Sequence, residues 1–256
     1  MSKKIASTAV FALLAALMPL SHAQDNVPDK IFAYATYFVC ATARESRADE
    51  IIGSSFKPHY DQAVEQEQIL SWSWLQHYMG GKWRRVLVVV TDDMETALET
   101  SGALGEIISD TTPEAGRAFS EICNAHDDYM WESIPGIGGG PVSAQRGSVT
   151  FSTYLQCDIS RNDRADELFR DVFAAVYDAH VADGQLTSWN WLKQTVGGNW
   201  TRLLTMGAQD HAALLEARAA IENELTGRKL ERARREFNEI CQTQNDYMWD
   251  QFVETS

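Results

Sequence analysis

Residues 71–85, SWSWLQHYMGGKWRR, return 117 positions later as residues 188–202, SWNWLKQTVGGNWTR. In each segment an aromatic-rich run leads to a Gly-Gly pair, and a second run begins after it with Trp83 or Trp200. Two such runs joined by a short glycine turn are typical of a β-hairpin. The sequence therefore predicts the same hairpin in two places.

The similarity extends over most of the chain. Residues 36–99 match residues 153–216 at 25 of 64 positions. After an insertion of one residue the offset becomes 118, and the match continues through Asp128-Tyr129-Met130-Trp131 and its counterpart Asp246-Tyr247-Met248-Trp249. Chance does not produce a match of this length, and internal repeats indicate repeated structural units. The chain is predicted to contain two units of about 105 residues.

Both units have the same predicted order of elements, β-α-β-β-α-α, and a short closing strand that no local pattern marks is left open. In the first unit the predicted strands are 33–41, 69–78 and 83–91, and the predicted helices are 46–66, one from 92 and one after Pro113. Ser46 and Asp49 form the N-terminal capping pair of the first helix. The last helix is predicted to carry Phe119 and Cys123 on one face and to end with the Asp-Tyr-Met-Trp segment.

With this order of elements and this repeat, the chain resembles the dimeric α+β barrel superfamily, whose ferredoxin-like units pair sheet to sheet into a barrel. That superfamily includes antibiotic-biosynthesis-type monooxygenases, EthD-like and NIPSNAP-like proteins, and haem proteins related to chlorite dismutase. The resemblance implies an α+β fold in which two ferredoxin-like β-α-β-β-α repeats form a pseudo-dimeric barrel in one chain. Two units that do not close a barrel are the alternative.

The first 23 residues are predicted to be a secretory signal peptide. Lys3 and Lys4 precede an apolar run from Ala9 to Leu20, and Ala23 supplies the small residue of a cleavage site. A run of about 12 residues is short of the roughly 20 that a membrane-spanning helix needs. We therefore expect a soluble protein that is periplasmic or secreted. The first repeat is expected at 24–134, a Gly/Pro linker at 135–147 and the second repeat at 148–256.

Charge limits the partners. The chain has 22 Lys and Arg residues against 36 Asp and Glu, a net charge of −14. Cleavage of the signal peptide removes two lysines and no acid, which gives −16. Binding to nucleic acid or anionic lipid needs a surplus of cations, so both are disfavoured. We expect a neutral or cationic small molecule as partner, no membrane span, and a monomer, because the barrel would close within one chain.

The four cysteines occupy repeated positions. Each unit has one in its first predicted strand and one in its last predicted helix. In an exported protein an even number of cysteines favours disulfides over metal binding or catalysis. Four cysteines allow three pairings, and only Cys40–Cys123 with Cys157–Cys241 respects the repeat. Free structural thiols are the alternative.

Two tyrosines are candidates for lining a ligand cavity inside the barrel. If Cys40 is in a disulfide it faces the helices, and the two-residue period of a strand then points Tyr37 to the other side of the sheet. Tyr154 occupies the same position in the second unit. The alternative is that each tyrosine fills the core with its hydroxyl bonded to a neighbour.

The hairpins supply further candidates. They carry six tryptophans, which are Trp72, Trp74 and Trp83 in the first unit and Trp189, Trp191 and Trp200 in the second. Aromatic cross-strand packing explains them, whereas an aromatic pocket or cation cage would make Trp74 and Trp191 ligand-binding residues. Arg85 and Arg202 could hold a ligand carboxylate, pair with a nearby acid, or be solvated.

No histidine of the predicted mature chain recurs in both units. His77, on a predicted strand between aromatic residues, is the candidate general base or axial haem ligand if the protein is an enzyme. A plain surface or core histidine is the alternative. No metal site and no cofactor are predicted, and haem is an alternative that the resemblance alone implies.

Two classes of function remain. The first is an exported binding or interaction protein that holds a small ligand in, or at the mouth of, the barrel. The second follows from the resemblance and is an oxygenase or isomerase, either cofactor-free or haem-dependent. The sequence has no Gly-x-Ser-x-Gly, His-Glu-x-x-His or Cys-x-x-Cys motif, so hydrolase, zinc-protease and thioredoxin functions have no support.

Overall fold

The computed structural model describes residues 30–140 and 147–254. Eight strands in these residues form one closed antiparallel barrel. The strands are β1 Phe32–Cys40, β2 Ser71–Gly80, β3 Arg85–Thr91, β4 Cys123–Gly139, β5 Val149–Cys157, β6 Ser188–Val196, β7 Arg202–Ala208 and β8 Cys241–Glu254. Around the barrel the first unit contributes β4-β1-β3-β2 and the second contributes β8-β5-β7-β6. Both units therefore have the same four-stranded sheet.

Helices cover the outer face of each sheet. They are α1 Glu45–Ile51, α2 Lys57–Glu65, α3 Met94–Thr111 and α4 Pro113–Ile122 in the first unit, and α5 Asn162–Leu168, α6 Ala174–Ala182, α7 His211–Leu225 and α8 Glu231–Ile240 in the second. One π-helical turn, Ile52–Phe56, joins α1 to α2, and another, Phe169–Phe173, joins α5 to α6. Short 3-10 turns, Thr42–Arg44 and Ile159–Arg161, precede α1 and α5. None of the helices in the described ranges combines the length and hydropathy needed to cross a membrane.

Each unit closes its sheet onto the other unit. Strand β4 pairs with β1 of its own unit and with β6 of the second unit. In the same way, β8 pairs with β5 and with β2. Every strand of the barrel thus has two neighbours, which leaves no unpaired sheet edge. The predicted α+β fold of two ferredoxin-like units in one barrel is confirmed.

Strand alternation divides the side chains between two sides of the barrel wall. On β1, Ala35 and Tyr37 pack in the barrel interior, whereas Phe38 and Cys40 pack under the helices. On β3, Val86 faces the interior together with Tyr37. The predicted orientation of the first strand is therefore confirmed.

The predicted helical end at the Asp-Tyr-Met-Trp segment is wrong. Helix α4 ends at Ile122, and β4 follows directly. Tyr129 and Trp131 are two residues apart, so both side chains enter the barrel, while Met130 between them packs on the outside. The strand is held by β1 and by β6 of the other unit, and local sequence patterns do not show partners so distant in sequence.

Parts of the predicted chain organisation lie outside the described residues. The whole predicted signal peptide, residues 1–23, lies outside them. Of the predicted linker, residues 135–139 belong to β4, and residues 141–146 lie outside the described residues.

Both predicted disulfides, Cys40–Cys123 and Cys157–Cys241, are present. Each joins the end of the first strand of a unit to the start of its last strand. The bonded cysteines are 83 and 84 residues apart in the sequence. Closing a loop of that length contributes roughly 4 kcal/mol in the chain-entropy model.

The two Gly-Gly turns are explained by contacts between the units. Gly81 lies against the hydroxyl of Tyr247, and Gly198 lies against the hydroxyl of Tyr129, so a Cβ atom at either glycine would overlap that hydroxyl. In the first hairpin the backbone N–H of Trp83 donates to the Tyr247 hydroxyl at 3.5 Å. In each hairpin the turn glycines thus contact the tyrosine of the other unit's Asp-Tyr-Met-Trp segment, which lies on the neighbouring strand.

Candidate functional site

Three cavities in the described residues are lined by side chains that the sequence predicts as ligand-binding candidates. The first-unit cavity and the second-unit cavity lie between the helices and the outer face of each sheet, with volumes of about 820 Å³ and 340 Å³. The barrel cavity lies inside the barrel and measures about 100 Å³. Sites for organic ligands usually measure roughly 300 to 1,000 Å³. Only the two helix-covered cavities are of that size.

The first-unit cavity is walled mainly by apolar side chains. They are Phe38, Trp74 and Leu87 from the sheet and Ile52, Phe56, Tyr60, Ile108 and Phe119 from the helices. The Phe119 ring contacts three others, with centroid distances of 5.2 Å to Phe38, 5.5 Å to Phe56 and 5.9 Å to Trp74. The charged lining residues Arg117 and Glu121 lie on α4 and are exposed, at the rim of the cavity. The wall itself is aromatic.

Two local features open this cavity. The π-helical turn between α1 and α2 places both Ile52 and Phe56 at the cavity, and such turns are frequent at functional sites. Gly105 on α3 and Gly116 on α4 also line it, and a Cβ atom added at either position would meet nothing within 4 Å. A glycine inside a helix is about 1 kcal/mol less favourable than alanine. These two glycines therefore lower helix stability and leave the cavity open.

Trp74 is held at the cavity by a buried ion pair. Its Nε1 donates to Asp49 Oδ1 at 2.8 Å. Arg85 donates to the same carboxylate through Nε at 2.6 Å and Nη2 at 2.7 Å, and its Nη1 donates to Glu45 at 3.1 Å. A bidentate geometry of this kind fixes both partners. The guanidinium of Arg85 thus positions Trp74, and it lines none of the three cavities.

The second unit repeats this arrangement. Trp191 Nε1 donates to Asp166 at 2.8 Å, and Arg202 donates to the two oxygens of that carboxylate at 2.6 and 2.7 Å. Of the three roles that the sequence leaves open for the arginines, pairing with a nearby acid is the one the structure contains. We call the two Asp-Arg-Trp groups, Asp49–Arg85–Trp74 and Asp166–Arg202–Trp191, the frame of the units.

Sequence reasoning missed the acids of this arrangement. The sequence predicts Asp49 only as part of a capping pair with Ser46, which is wrong, because α1 begins at Glu45 and has no side-chain cap. Asp49 and its counterpart Asp166 each accept from a buried tryptophan 25 residues further along the chain. Asp61 accepts from Trp72 at 3.0 Å and Asp178 from Trp189 at 2.8 Å, both over 11 residues. The signal was the joint retention of an acid and a tryptophan at a fixed spacing in both units.

The second-unit cavity has a similar aromatic wall, but charged side chains also line it. Its rings are those of Phe169, Phe173, Tyr177, Trp191 and Phe237. Gly105 and Gly116 of the first unit correspond to Glu222 and Arg234, and Ser101 corresponds to Arg218. Glu222, Arg234 and Arg218 all line the second-unit cavity. Their side chains occupy space that is open in the first unit.

The barrel cavity contains both predicted tyrosines. Tyr37 and Tyr154 are fully buried, with their rings edge to face at 5.5 Å. Trp131 Nε1 donates to the Tyr37 hydroxyl at 3.0 Å, and the hydroxyl of Tyr154 is hydrogen bonded to that of Tyr37. Burial raises the pKa of both tyrosines well above the ordinary value, so both keep their protons. Their hydroxyls are thus satisfied inside the protein, without an arginine at the cavity.

The three tryptophans of each hairpin do not form one wall. Trp72 and Trp74 lie under the helices, whereas Trp83 lies in the barrel interior, where it stacks on Tyr37 at 4.3 Å. Trp83 comes before β3 begins at Arg85. Because it belongs to the turn, strand alternation does not set the direction of its side chain.

His77 lies near the hairpin end of β2 and lines none of the three cavities. Arg84 Nη1 donates to its Nδ1 at 2.8 Å, and its Nε2 is 3.4 Å from the Gly80 carbonyl oxygen. Burial, and next the charge of Arg84, lower the pKa of His77. At the same place in the second unit, Gln194 donates to the Gly198 carbonyl at 2.8 Å. His77 and Gln194 therefore each contact a backbone carbonyl of the turn in their own hairpin.

Known structures share this fold. A proposed monooxygenase from Fusobacterium nucleatum aligns with a TM-score of 0.59 at 6% identity, over 89% of this chain and 94% of that chain. An anthrone oxidase-like protein aligns with a TM-score of 0.57 at 12% identity, over 89% and 93%. A proposed chlorite dismutase aligns with a TM-score of 0.50 at 7% identity, over 87% and 94%. No protein-family model and no curated protein matches the chain. The fold is that of the dimeric α+β barrels.

Haem is the alternative cofactor that the resemblance in sequence implies, so the cavities can be tested for their fit to it. Neither helix-covered cavity is lined by a histidine or cysteine. Tyr60 and Tyr177 line them, but burial raises the pKa of both phenols and keeps them protonated, which makes them poor ligands for iron. No group of three or more His, Cys, Asp or Glu side chains that could hold a metal ion occurs in the described ranges. The residues present do not fit haem.

Proposed function

We propose that the first-unit cavity binds a flat, neutral, largely aromatic small molecule. The observation that carries this proposal is a cavity of about 820 Å³ with a wall formed by the rings of Phe38, Phe56, Trp74 and Phe119. Burial of apolar ligand surface stabilises a complex by about 25 cal/mol per Å² before the costs of association. The aromatic wall carries no charge, so it favours a neutral ligand body.

The frame prepares this wall for binding. The N–H of Trp74 is already bonded to Asp49, and Arg85 holds that carboxylate in place. The indole therefore offers only its apolar surface to the cavity and cannot reorient at low cost. A wall that is ordered before binding loses little conformational entropy when the ligand enters.

The test is a calorimetric titration of the neutral probe naphthalene-2-carboxamide. Gly105→Leu/Gly116→Leu fills the first-unit cavity from two sides, and we expect its affinity to fall at least tenfold, since about one methylene of misfit in an apolar pocket has an effect of that size. Gly102→Leu is the matched control, because Gly102 also lies on α3 in open space but does not line the cavity. Equal affinity in all three chains would contradict the proposal.

Oxygenation of such a ligand by O₂ in the same cavity is the second candidate function. It is supported by the fold shared with the proposed monooxygenase and the anthrone oxidase-like protein. The balanced reaction converts a ring CH₂ group and O₂ into a C=O group and one water. Anthrone is the substrate to try, with oxygen uptake and anthraquinone formation as readouts. Rates equal to those in buffer would leave binding as the only function of the cavity.

We further propose that the protein is exported and monomeric. Two disulfides support an oxidising compartment, and a barrel closed within one chain supports a monomer. Expression of the full chain in a bacterium, followed by N-terminal sequencing of the periplasmic fraction, should give a chain that begins at Gln24. A protein that keeps its first 23 residues in the cytoplasm would contradict export, and light scattering would detect a dimer.

A further inference from the structure

The second-unit cavity carries charges that the fold does not require. Arg218, Glu222 and Arg234 line it. The first unit forms the corresponding helices α3 and α4 without a charge at any of the three equivalent positions. The charged side chains are therefore a property of this cavity and not of the helices on which they lie.

The charge of Arg218 is compensated within the protein. Its Nη2 lies 2.9 Å from Glu222 and 3.5 Å from Asp246. Its guanidinium also lies over the ring of Phe151, 4.6 Å from the ring centroid. With two carboxylates and a ring as neighbours, Arg218 needs no further partner.

Arg234 differs from Arg218. Its Nε is buried and has no hydrogen-bond partner among the described residues. A buried donor of a charged group that lacks a partner lowers stability. Arg234 lines a cavity whose wall is aromatic, with the Phe169 and Trp191 rings stacked at 4.0 Å. The cavity thus combines an apolar wall with one cation whose Nε lacks a partner.

We propose that the second-unit cavity is a separate site for a small organic anion with an apolar body, such as an aromatic carboxylate. The guanidinium of Arg234 pairs with the carboxylate, and the rings of Phe169 and Phe237 pack against the hydrocarbon. The acidic composition of the whole chain does not oppose this. Charges further away than about 8 Å are largely screened at physiological salt. The carboxylate of Glu222 in the same cavity is paired with Arg218, so Arg234 is the charge left for an anionic ligand.

The experiment uses Gly105→Leu/Gly116→Leu as the background, because its first-unit cavity is filled. Naphthalene-2-carboxylate and the neutral naphthalene-2-carboxamide are titrated into it by calorimetry. We expect the carboxylate to bind about tenfold more tightly than the amide, as expected for a charge-assisted hydrogen bond. Arg234→Leu should abolish this preference, and Arg234→Lys should keep part of it. Arg235→Leu is the matched control, because Arg235 is on the same helix, is exposed and pairs with Glu231.

Equal affinities for the two probes in the background chain, or a preference that survives Arg234→Leu, would overturn the proposal. If Arg234→Leu fails to fold, the comparison of the two probes in the chain that retains Arg234 decides alone. The outcome is independent of the first-unit cavity. Binding of the neutral probe to a chain with only Arg234→Leu tests that cavity separately.

Discussion

The first-unit and second-unit cavities lie at the same place in two similar units, between an aromatic sheet face and helices that contain a π-helical turn. The frame is the same in both, with Asp-Arg distances of 2.6 and 2.7 Å in each unit. The helix residues that line the two cavities differ, because Gly105 and Gly116 of the first unit correspond to Glu222 and Arg234 in the second unit. Residues that are identical in the two units form the frame, whereas residues that differ give the two cavities different linings.

The largest expected effect is the loss of the frame. Arg202→Met leaves Asp166 buried with the Trp191 N–H and no guanidinium. Removal of one partner of a buried ion pair costs about 3 to 5 kcal/mol. Arg85→Met should have a similar effect in the first unit, measured by urea unfolding. Arg202→Met/Asp166→Leu should recover part of the loss, and a loss below about 1 kcal/mol in either unit would show that the frame does not hold that unit.

The next largest effect is expected at the contact between the units. Gly198→Ala places a Cβ atom in the position of the Tyr129 hydroxyl, and Gly81→Ala does the same at Tyr247. Overpacking of this kind costs about 1 to 3 kcal/mol. The two changes should have equal effects on the free energy of unfolding, and Gly198→Ala/Tyr129→Phe should recover most of the loss. A neutral Gly198→Ala would mean that the hairpin can move away from the tyrosine.

A smaller effect of opposite sign is expected at the helix glycines. Gly105→Ala and Gly102→Ala both add a methyl group in open space on α3. Each should raise the free energy of unfolding by up to about 1 kcal/mol, the difference in helix propensity. Only Gly105→Ala should also weaken binding of the neutral probe, since Gly102 does not line the cavity. A loss of stability in Gly105→Ala would contradict the open space assigned to that position.

The smallest expected effect concerns the pH dependence of stability. The pKa of His77 is lowered by folding, so below about pH 6.5 the unfolded chain binds more protons than the folded chain. The free energy of unfolding should therefore decrease as the pH falls through this range. His77→Gln places the residue of the second unit at this position and should make that decrease less steep. An identical pH dependence in the variant would show that His77 does not contribute to it.

The sequence predicted the elements whose evidence is local or repeated. The hairpins, the first strand and the disulfides belong to this group, because alternation and the matching of two copies apply to them directly. Strands β4 and β8 were missed as strands, because each depends on a neighbour in the other unit. No local pattern in the Asp-Tyr-Met-Trp segment reports that neighbour.

The candidate site was predicted only in part. Trp74 and Trp191 line the two helix-covered cavities, and Tyr37 and Tyr154 line the barrel cavity. A comparison of two copies selects identical residues, and these turned out to hold the frame and the barrel core. Gly105 and Gly116, which leave the first-unit cavity open, and Arg234, which brings a positive charge to the second-unit cavity, are at positions where the two copies differ. Their place in the cavities is known only once the position of the helices over the sheet is known.

The most direct test of this account is a crystal structure of the protein with naphthalene-2-carboxamide. We expect density for one ligand in the first-unit cavity, in contact with the rings of Trp74 and Phe119. Density inside the barrel beside Tyr37 and Tyr154, with the first-unit cavity empty, would contradict the account.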